Sequence, residues 1–223
     1  MVTAERLTKS VWSRARWLVV APHPDDETLG AGALIAEAAA RRRLGGVVYV
    51  TDGTGSHALG TPRLASIRRL EARTAVHRLT PRRVAIDRIG WQDAHPPAPG
   101  DARFDRDAGR LGALLRRRRI DAIAVTGPGE RHCDHVAAFR LAEAAIRRGR
   151  RRVALFAYPV WGEPTVTCRR RLRTGPLAPG VRRRALAAHR SQLSLAYGDG
   201  FRLARSKRVM PPADVLFLQE SNR

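Results

Sequence analysis

Short apolar runs alternate with longer amphipathic ones along this chain, and that alternation limits its fold more than any other feature. "WLVVAP" (17–22) reads as a buried strand, and "ETLGAGALIAEAAARRR" (27–43) follows with helical spacing and an alanine-rich face. "GGVVYVTDG" (45–53) is a second strand, "RLASIRRLEARTAVHRL" (63–79) a second helix and "RVAIDRIGW" (83–91) a third strand with internal charges. After the proline-rich loop 93–102, the stretches 104–119, 120–128, 134–149 and 152–161 continue as helix, strand, helix and strand. Strands joined through helices by short loops run parallel, and a parallel sheet needs both faces covered. The expected class is α/β, with a mostly parallel sheet and helices on both faces. Residues 162–180 read as irregular, 181–193 as a late helix and 213–220 as a final strand. No repeat or linker divides the chain, so one domain over 1–223 is expected.

The 223 residues, 43% of them hydrophobic, suit one globular domain with a sizeable core. No run approaches the roughly 18 apolar residues of a membrane span. The start, "MVTAERLTKSVWSRARW", has no apolar segment of the secretory type. Cys133 and Cys168 do not make a disulfide framework. The expected location is cytoplasmic. The charge balance is unusual, with 42 bases against 20 acids and a net charge of +22. Such a field favours anionic partners. Three arginine runs, in 41–43, 116–119 and 147–152, each close a helix and precede a strand. Cations there complement the helix dipole. In a parallel sheet those ends lie opposite the carboxyl edge, where ligands bind. Nucleic acid is therefore not the expected partner, and no zinc-finger or RNP-type signature points to it.

Two clusters carry candidate chemistry. In "APHPDDE" (21–27), His23 and Asp26 stand three residues apart on a turn between a strand and a helix. Imidazole and carboxylate are both good zinc ligands. Asp25 lies between them and can face another side. Helix capping explains one or two acids at such a place. It does not explain the preceding His-Pro, nor the second cluster, "GERHCDH" (129–135), in which His132 and His135 flank Asp134 between another strand and helix. In a doubly wound sheet the first and fourth of these strands are neighbours, and both clusters converge on one crevice.

"VVAPHPDDETLGAG" (19–32) together with "HCDH" (132–135) resembles the LmbE/PIG-L family of zinc-dependent N-deacetylases. "IRRLEARTA" (67–75) resembles the family's Arg-x-x-Glu helix, and "ALAAHRSQL" (185–193) its His-x-Ser-Gln segment, so the resemblance spans about residues 17–193. It implies a Rossmann-like fold and an amidohydrolase acting on linear amides, here the N-acetyl group of an N-acetylglucosamine-type sugar in a small glycoconjugate. The implied cofactor is Zn2+, with another divalent metal left open, as is an oligomer. By the same resemblance His23, Asp26 and His135 are the metal ligands and Asp25 the general base. His132 stabilises the tetrahedral intermediate or protonates the leaving amine, and Asp134 orients His132. Arg68 and Asp93 are candidates for holding the sugar and what is attached to it. Cys133 stands where the family usually has proline and is expected to be structural and buried. Glu27 reads as a first-turn helix acid bracing its neighbours.

The remaining motifs have plainer readings. "GAG" (30–32) lies inside a helix, and three acids replace a phosphate-binding turn, so close helix–strand packing is expected. "TDGTGSH" (51–57) should border the crevice, with His57 a loop residue. Trp91 and Trp161 end strands at the carboxyl edge and suit either sugar stacking or the core. The alternative to a deacetylase is a nucleic-acid or anionic-membrane binding protein with a vestigial hydrolase site.

Overall fold

The computed structural model describes residues 4–57, 63–162 and 170–219. Its elements are β1 (Glu5–Arg6), β2 (Trp17–Ala21), α1 (Asp26–Ala40), β3 (Leu44–Thr51), α2 (Leu64–Leu79), β4 (Ile86–Trp91), α3 (Ala102–Arg117) and β5 (Ala122–Thr126). They continue with α4 (Cys133–Gly149), β6 (Ala154–Tyr158), β7 (Arg171–Arg173), α5 (Val181–Leu186), α6 (Arg190–Leu193) and β8 (Val215–Leu218). The strands form one sheet in the order β1-β7-β8-β6-β5-β2-β3-β4. Neighbours from β6 to β4 pair in parallel, and β8 runs antiparallel between β6 and β7. This is the expected mostly parallel α/β sheet, with β2 beside β5.

Alternation along the strands divides the interior in two. Trp17, Val19 and Ala21 of β2 face one side and pack with Leu34, Ile35, Ala72 and Val76 of α1 and α2. Leu18 and Val20 face the other and pack with Leu111, Leu115, Ala138 and Leu141 of α3 and α4. The chain moves outward from β2 in both directions, to β3 and to β5, which leaves a crevice at the carboxyl ends of β2 and β5. Gly30 fits the expected close packing. A Cβ there would stand 2.2 Å from Cδ2 of Tyr158, whose hydroxyl donates to the Val20 carbonyl at 2.9 Å.

Two expectations change. The edge strand β1 and its neighbour β7 have two and three residues, too short to show a periodicity. The helix expected over 181–193 is two helices, α5 and α6, broken at Ala187–His189. His189 has ψ 59°, and side-chain bonds to Glu27 and Glu71 hold it and Ser191 in place of a continuous helix. Residues 163–169 of the stretch expected to be irregular, Cys168 among them, lie outside the described residues. Among the described residues no helix is long and apolar enough to cross a membrane.

The arginine runs close the helices as expected, and they do so in left-handed conformations. After α1 the Arg43 and Arg42 N–H groups donate to the carbonyls of Ala38 and Ala39, at 2.7 and 3.0 Å. After α3 the Ile120 and Arg119 N–H groups donate to those of Leu115 and Arg116, at 2.9 and 3.0 Å. In this paired closure the residue after the C-cap takes a positive φ, which glycine adopts without strain. Here Arg42 and Arg119 take it, with φ of 57° and 52°. The exposed Arg119 forms no ion pair among the described residues. Arg119→Gly should therefore raise stability by about 0.5–1 kcal/mol, measured by urea unfolding. A lower midpoint would show that the arginine side chain contributes more than the backbone strain costs.

Candidate metal centre

The first cluster sits where β2 turns into α1. Pro24 restricts the turn, and Asp25 follows with φ 143° and ψ −30°, a region that costs a non-glycine residue on the order of 1–3 kcal/mol. Its carbonyl accepts the N–H groups of Thr28 and Leu29, both at 2.9 Å, and its own N–H donates to Glu27 Oε2 at 2.9 Å. The second cluster follows β5. His132 caps α4, its Nδ1 accepting the Asp134 N–H at 3.3 Å. A neutral His132 in this arrangement carries its proton on Nε2.

The two clusters meet at Asp26. Its Oδ2 lies 3.2 Å from His23 Nδ1 and 3.3 Å from His135 Nε2. Ligand atoms bound tetrahedrally at about 2.0–2.1 Å stand about 3.3–3.4 Å apart. Asp26 Oδ1 and both His135 nitrogens are buried without a hydrogen-bond partner. Each imidazole turns its other nitrogen to a carboxylate, the usual support of a metal-ligating histidine. His23 Nε2 lies 2.9 Å from Asp134 Oδ2 and 3.3 Å from Asp93 Oδ1, and His135 Nδ1 lies 3.5 Å from Glu130 Oε2. The residues present thus fit a divalent cation. Ring nitrogens of His23, His132 and His135 also come within 4.8 Å of one another. Asp26 is the better third ligand, because His132 has a side chain 41% exposed and spends Nδ1 on capping α4.

Charge in this centre is strongly redistributed. Burial opposes protonation of His23, yet hydrogen bonds to Asp134, Asp26 and Asp93 raise its pKa well above the ordinary value. Burial likewise opposes the charge on His135, but Asp26 and Glu130 bring it up to about 9. Asp26 is held well below the carboxylate range, burial being overcome by His135 and His23. Asp93 falls to about 2 against its burial, through His23 first. Asp25 moves the other way, up to about 7, through burial and the charge of Asp26. His132 is lowered by burial and by His23.

A cavity of about 250 Å³ opens on this centre, and Asp25, Arg68, Asp93, His132 and Trp161 line it. Arg68 is 1% exposed and donates from Nη2 to Ser56 Oγ at 2.8 Å. Asp93 Oδ2 accepts the Gly55 N–H at 3.0 Å, so the loop after β3 borders the site as expected. Gly53 makes this possible with φ 71°, for a Cβ there would lie 2.4 Å from Arg68 Nη1. The structure thus brings together all eight expected site residues. Asp134 differs in orientation, since its Oδ2 bonds His23 and the Ala94 N–H and stands 3.9 Å from His132 Nδ1. Trp91 belongs to the core, its Nε1 donating to Asp107 Oδ2 at 2.9 Å. Cys133, expected to be buried, is exposed. It is the first residue of α4, with Sγ 3.8 Å from the Ala94 carbonyl oxygen and 3.7 Å from Asp134 Oδ1.

The family model described as PIG-L, GlcNAc-PI de-N-acetylase, matches residues 18–146. The chain belongs to the PIG-L family. No curated protein matches it in sequence. Among solved structures, N,N'-diacetylchitobiose deacetylase from Pyrococcus horikoshii is similar at a TM-score of 0.68 and 19% identity, over 95% of this chain and 86% of that one. A zinc inhibited form of teicoplanin deacetylase is similar at 0.64 and 18%, over 91% and 97%. A conserved protein from Thermus thermophilus reaches 28% identity at 0.58, over 80% of each chain. These likenesses support the LmbE-like α/β fold.

In this PIG-L chain the segment after residue 146 completes the site. His189 Nε2 lies 3.1 Å from Glu27 Oε1, and the Ser191 N–H and hydroxyl donate to Glu71 at 2.8 and 2.6 Å. Gln192 Nε2 donates to Asp25 Oδ2. Glu27 therefore does more than open a helix, since it holds both Asp25 and His189. Two residues went unassigned in the sequence, Gln192 and Glu130. The only signal for Glu130 was an acid two positions before His132. It accepts the N–H groups of Val160, Trp161 and Gly162, at 2.7, 3.0 and 3.1 Å, and so ties the Trp161 wall of the cavity to His135. Glu130→Ala leaves these half-buried donors to water and should lower stability by about 1–3 kcal/mol, read from urea unfolding. An unchanged midpoint would mean that the loop holds itself.

Proposed function

We propose that this chain is a metal-dependent hydrolase that removes the N-acetyl group from an N-acetylglucosamine-type sugar of a small glycoconjugate, and that residues 1–223 act as one deacetylase domain. The observation that carries this reading is Asp26 Oδ2 standing between His23 Nδ1 and His135 Nε2, at 3.2 and 3.3 Å, at the floor of a cavity. His23, Asp26 and His135 would hold the metal, with Zn2+ suited to two imidazoles and one carboxylate. Such a metal polarises the amide carbonyl and makes water acidic enough to attack near neutral pH.

The chain's own residues carry the proton transfers. Asp25 lines the cavity with one carboxylate oxygen pinned by Gln192, which orients it to take the proton from the attacking water. His132 presents its Nε2–H and donates a hydrogen bond to the developing oxyanion, and the proton taken up by Asp25 passes to the departing amine. Asp134 and Asp93 fix the ring of His23, a role for Asp134 nearer to the geometry than orienting His132. Arg68, buried and charged at the wall, and Trp161 hold the sugar through hydrogen bonds and ring stacking. The complete set of supporting bonds favours this reading over a binding protein with a vestigial site.

Two substitutions separate these roles. Asp25→Asn keeps the ligand set, so metal content should stay near one per chain while acetate release falls by about 10²–10⁴-fold. His135→Ala should lose the metal together with the activity. Metal analysis and acetate release from N-acetylglucosamine conjugates check both. Undiminished hydrolysis by Asp25→Asn would show that another group is the base.

A further inference from the structure

At the edge of the sheet opposite the metal centre, Arg42 after α1 and Arg82 and Arg83 before β4 line one hollow of about 380 Å³. Its other walls are Ala39, Leu44 and Val84, so it holds neither an acid nor a neutral hydrogen-bonding side chain. None of the three arginines forms an ion pair among the described residues. Acids elsewhere along this edge are engaged, Glu37 by Arg41, Asp87 by Arg118 and Asp121 by Arg151. The last carbonyls of α1 do not draw the guanidinium donors away from an anion, because those of Glu37, Ala38 and Ala39 already accept the N–H groups of Arg41, Arg43 and Arg42. Three exposed guanidinium groups around one hollow repel one another through water, and an anion seated among them would relieve that repulsion.

We infer that this hollow is a binding site for a phosphate group. A dianion balances three adjacent cations better than a carboxylate does, and guanidinium forks pair two N–H groups with two phosphate oxygens. The chemistry is shared by soluble phosphates and by phospholipid headgroups, and the test distinguishes them. The site lies away from the deacetylase residues and does not rest on their assignment.

The full chain would be titrated calorimetrically with inorganic phosphate and with pyrophosphate, at constant ionic strength set with sodium chloride. Saturable binding is expected, weakened by about tenfold or more in the double variant Arg82→Gln, Arg83→Gln and also weakened in Arg42→Gln. These residues are exposed, so the circular dichroism of the variants should match that of the parent chain. In a second arm, vesicles of phosphatidylcholine with phosphatidic acid, a phosphomonoester, are compared with phosphatidylcholine alone. Binding to the anionic vesicles that pyrophosphate displaces and the double variant loses assigns a headgroup; solution binding without vesicle binding assigns a soluble phosphate. No saturable binding in either arm, or binding that the double variant retains in full, overturns the inference.

Discussion

Six carboxylates buried around one crevice are the constraint on which the rest of this structure depends. Asp25, Asp26, Glu27, Asp93, Glu130 and Asp134 are all less than a tenth exposed. Unpaired, such groups would cost more than a marginally stable domain can bear. Each surrounding element therefore supplies a donor or a positive charge. Backbone N–H groups come from the loops after β3, β4 and β6, to Asp93, Asp134 and Glu130. Imidazoles come from the end of β2, from α4 and from the C-terminal segment. The acids push His23 and His135 toward the protonated form, and a divalent cation held between the two rings would meet the same demand for positive charge.

The first turn of α1 carries two of these acids, and distant side chains set its direction. The helix departs from regular geometry at Ala31, with φ −132°. Groups freed near the kink must find partners. Asp214 Oδ2 accepts the Leu34 N–H at 2.8 Å, and Arg182 Nη1 donates to the carbonyls of Thr28 and Leu29 at 3.3 and 3.1 Å. Arg182 and Asp214 also pair directly with each other, both buried. An ion pair between α5 and the start of β8 thus holds the kink, and with it the angle at which Asp26 faces His135. This explains why the chain beyond the central parallel strands matters to a site built mostly from residues before 136.

The parts legible in the sequence are those with a period or a rare spacing. The buried parallel strands announced themselves as apolar runs, and two acid–histidine clusters at strand ends pointed to one crevice because the sheet order makes β2 and β5 neighbours. What stayed hidden depends on contacts without a local pattern. Glu130 looks like any loop acid until the backbone of 160–162 folds over it. Residues 181–193 have helical spacing, yet the bonds from His189 and Ser191 to Glu27 and Glu71 outweigh the propensity for one unbroken helix. Cys133, between His132 and His135, reads as turned away from a metal and buried, but at the first position of α4 it is exposed, because solvent reaches the start of a helix from the side that its neighbours do not cover.

The same topology sorts the chain's charge. In a parallel α/β sheet the helix N-termini lie at the carboxyl edge of the strands, and their positive dipole ends face the crevice. Asp26 and Asp134 occupy the first turns of α1 and α4, where that field favours a carboxylate. The C-termini lie at the other edge, and there the dipole favours cations, which is where the arginine runs fall. A net charge of +22 is therefore an average over two unlike ends, one crowded with buried acids and one covered with exposed arginine. The first sets the charge of the crevice, and the second bears on what the opposite edge of the sheet can hold.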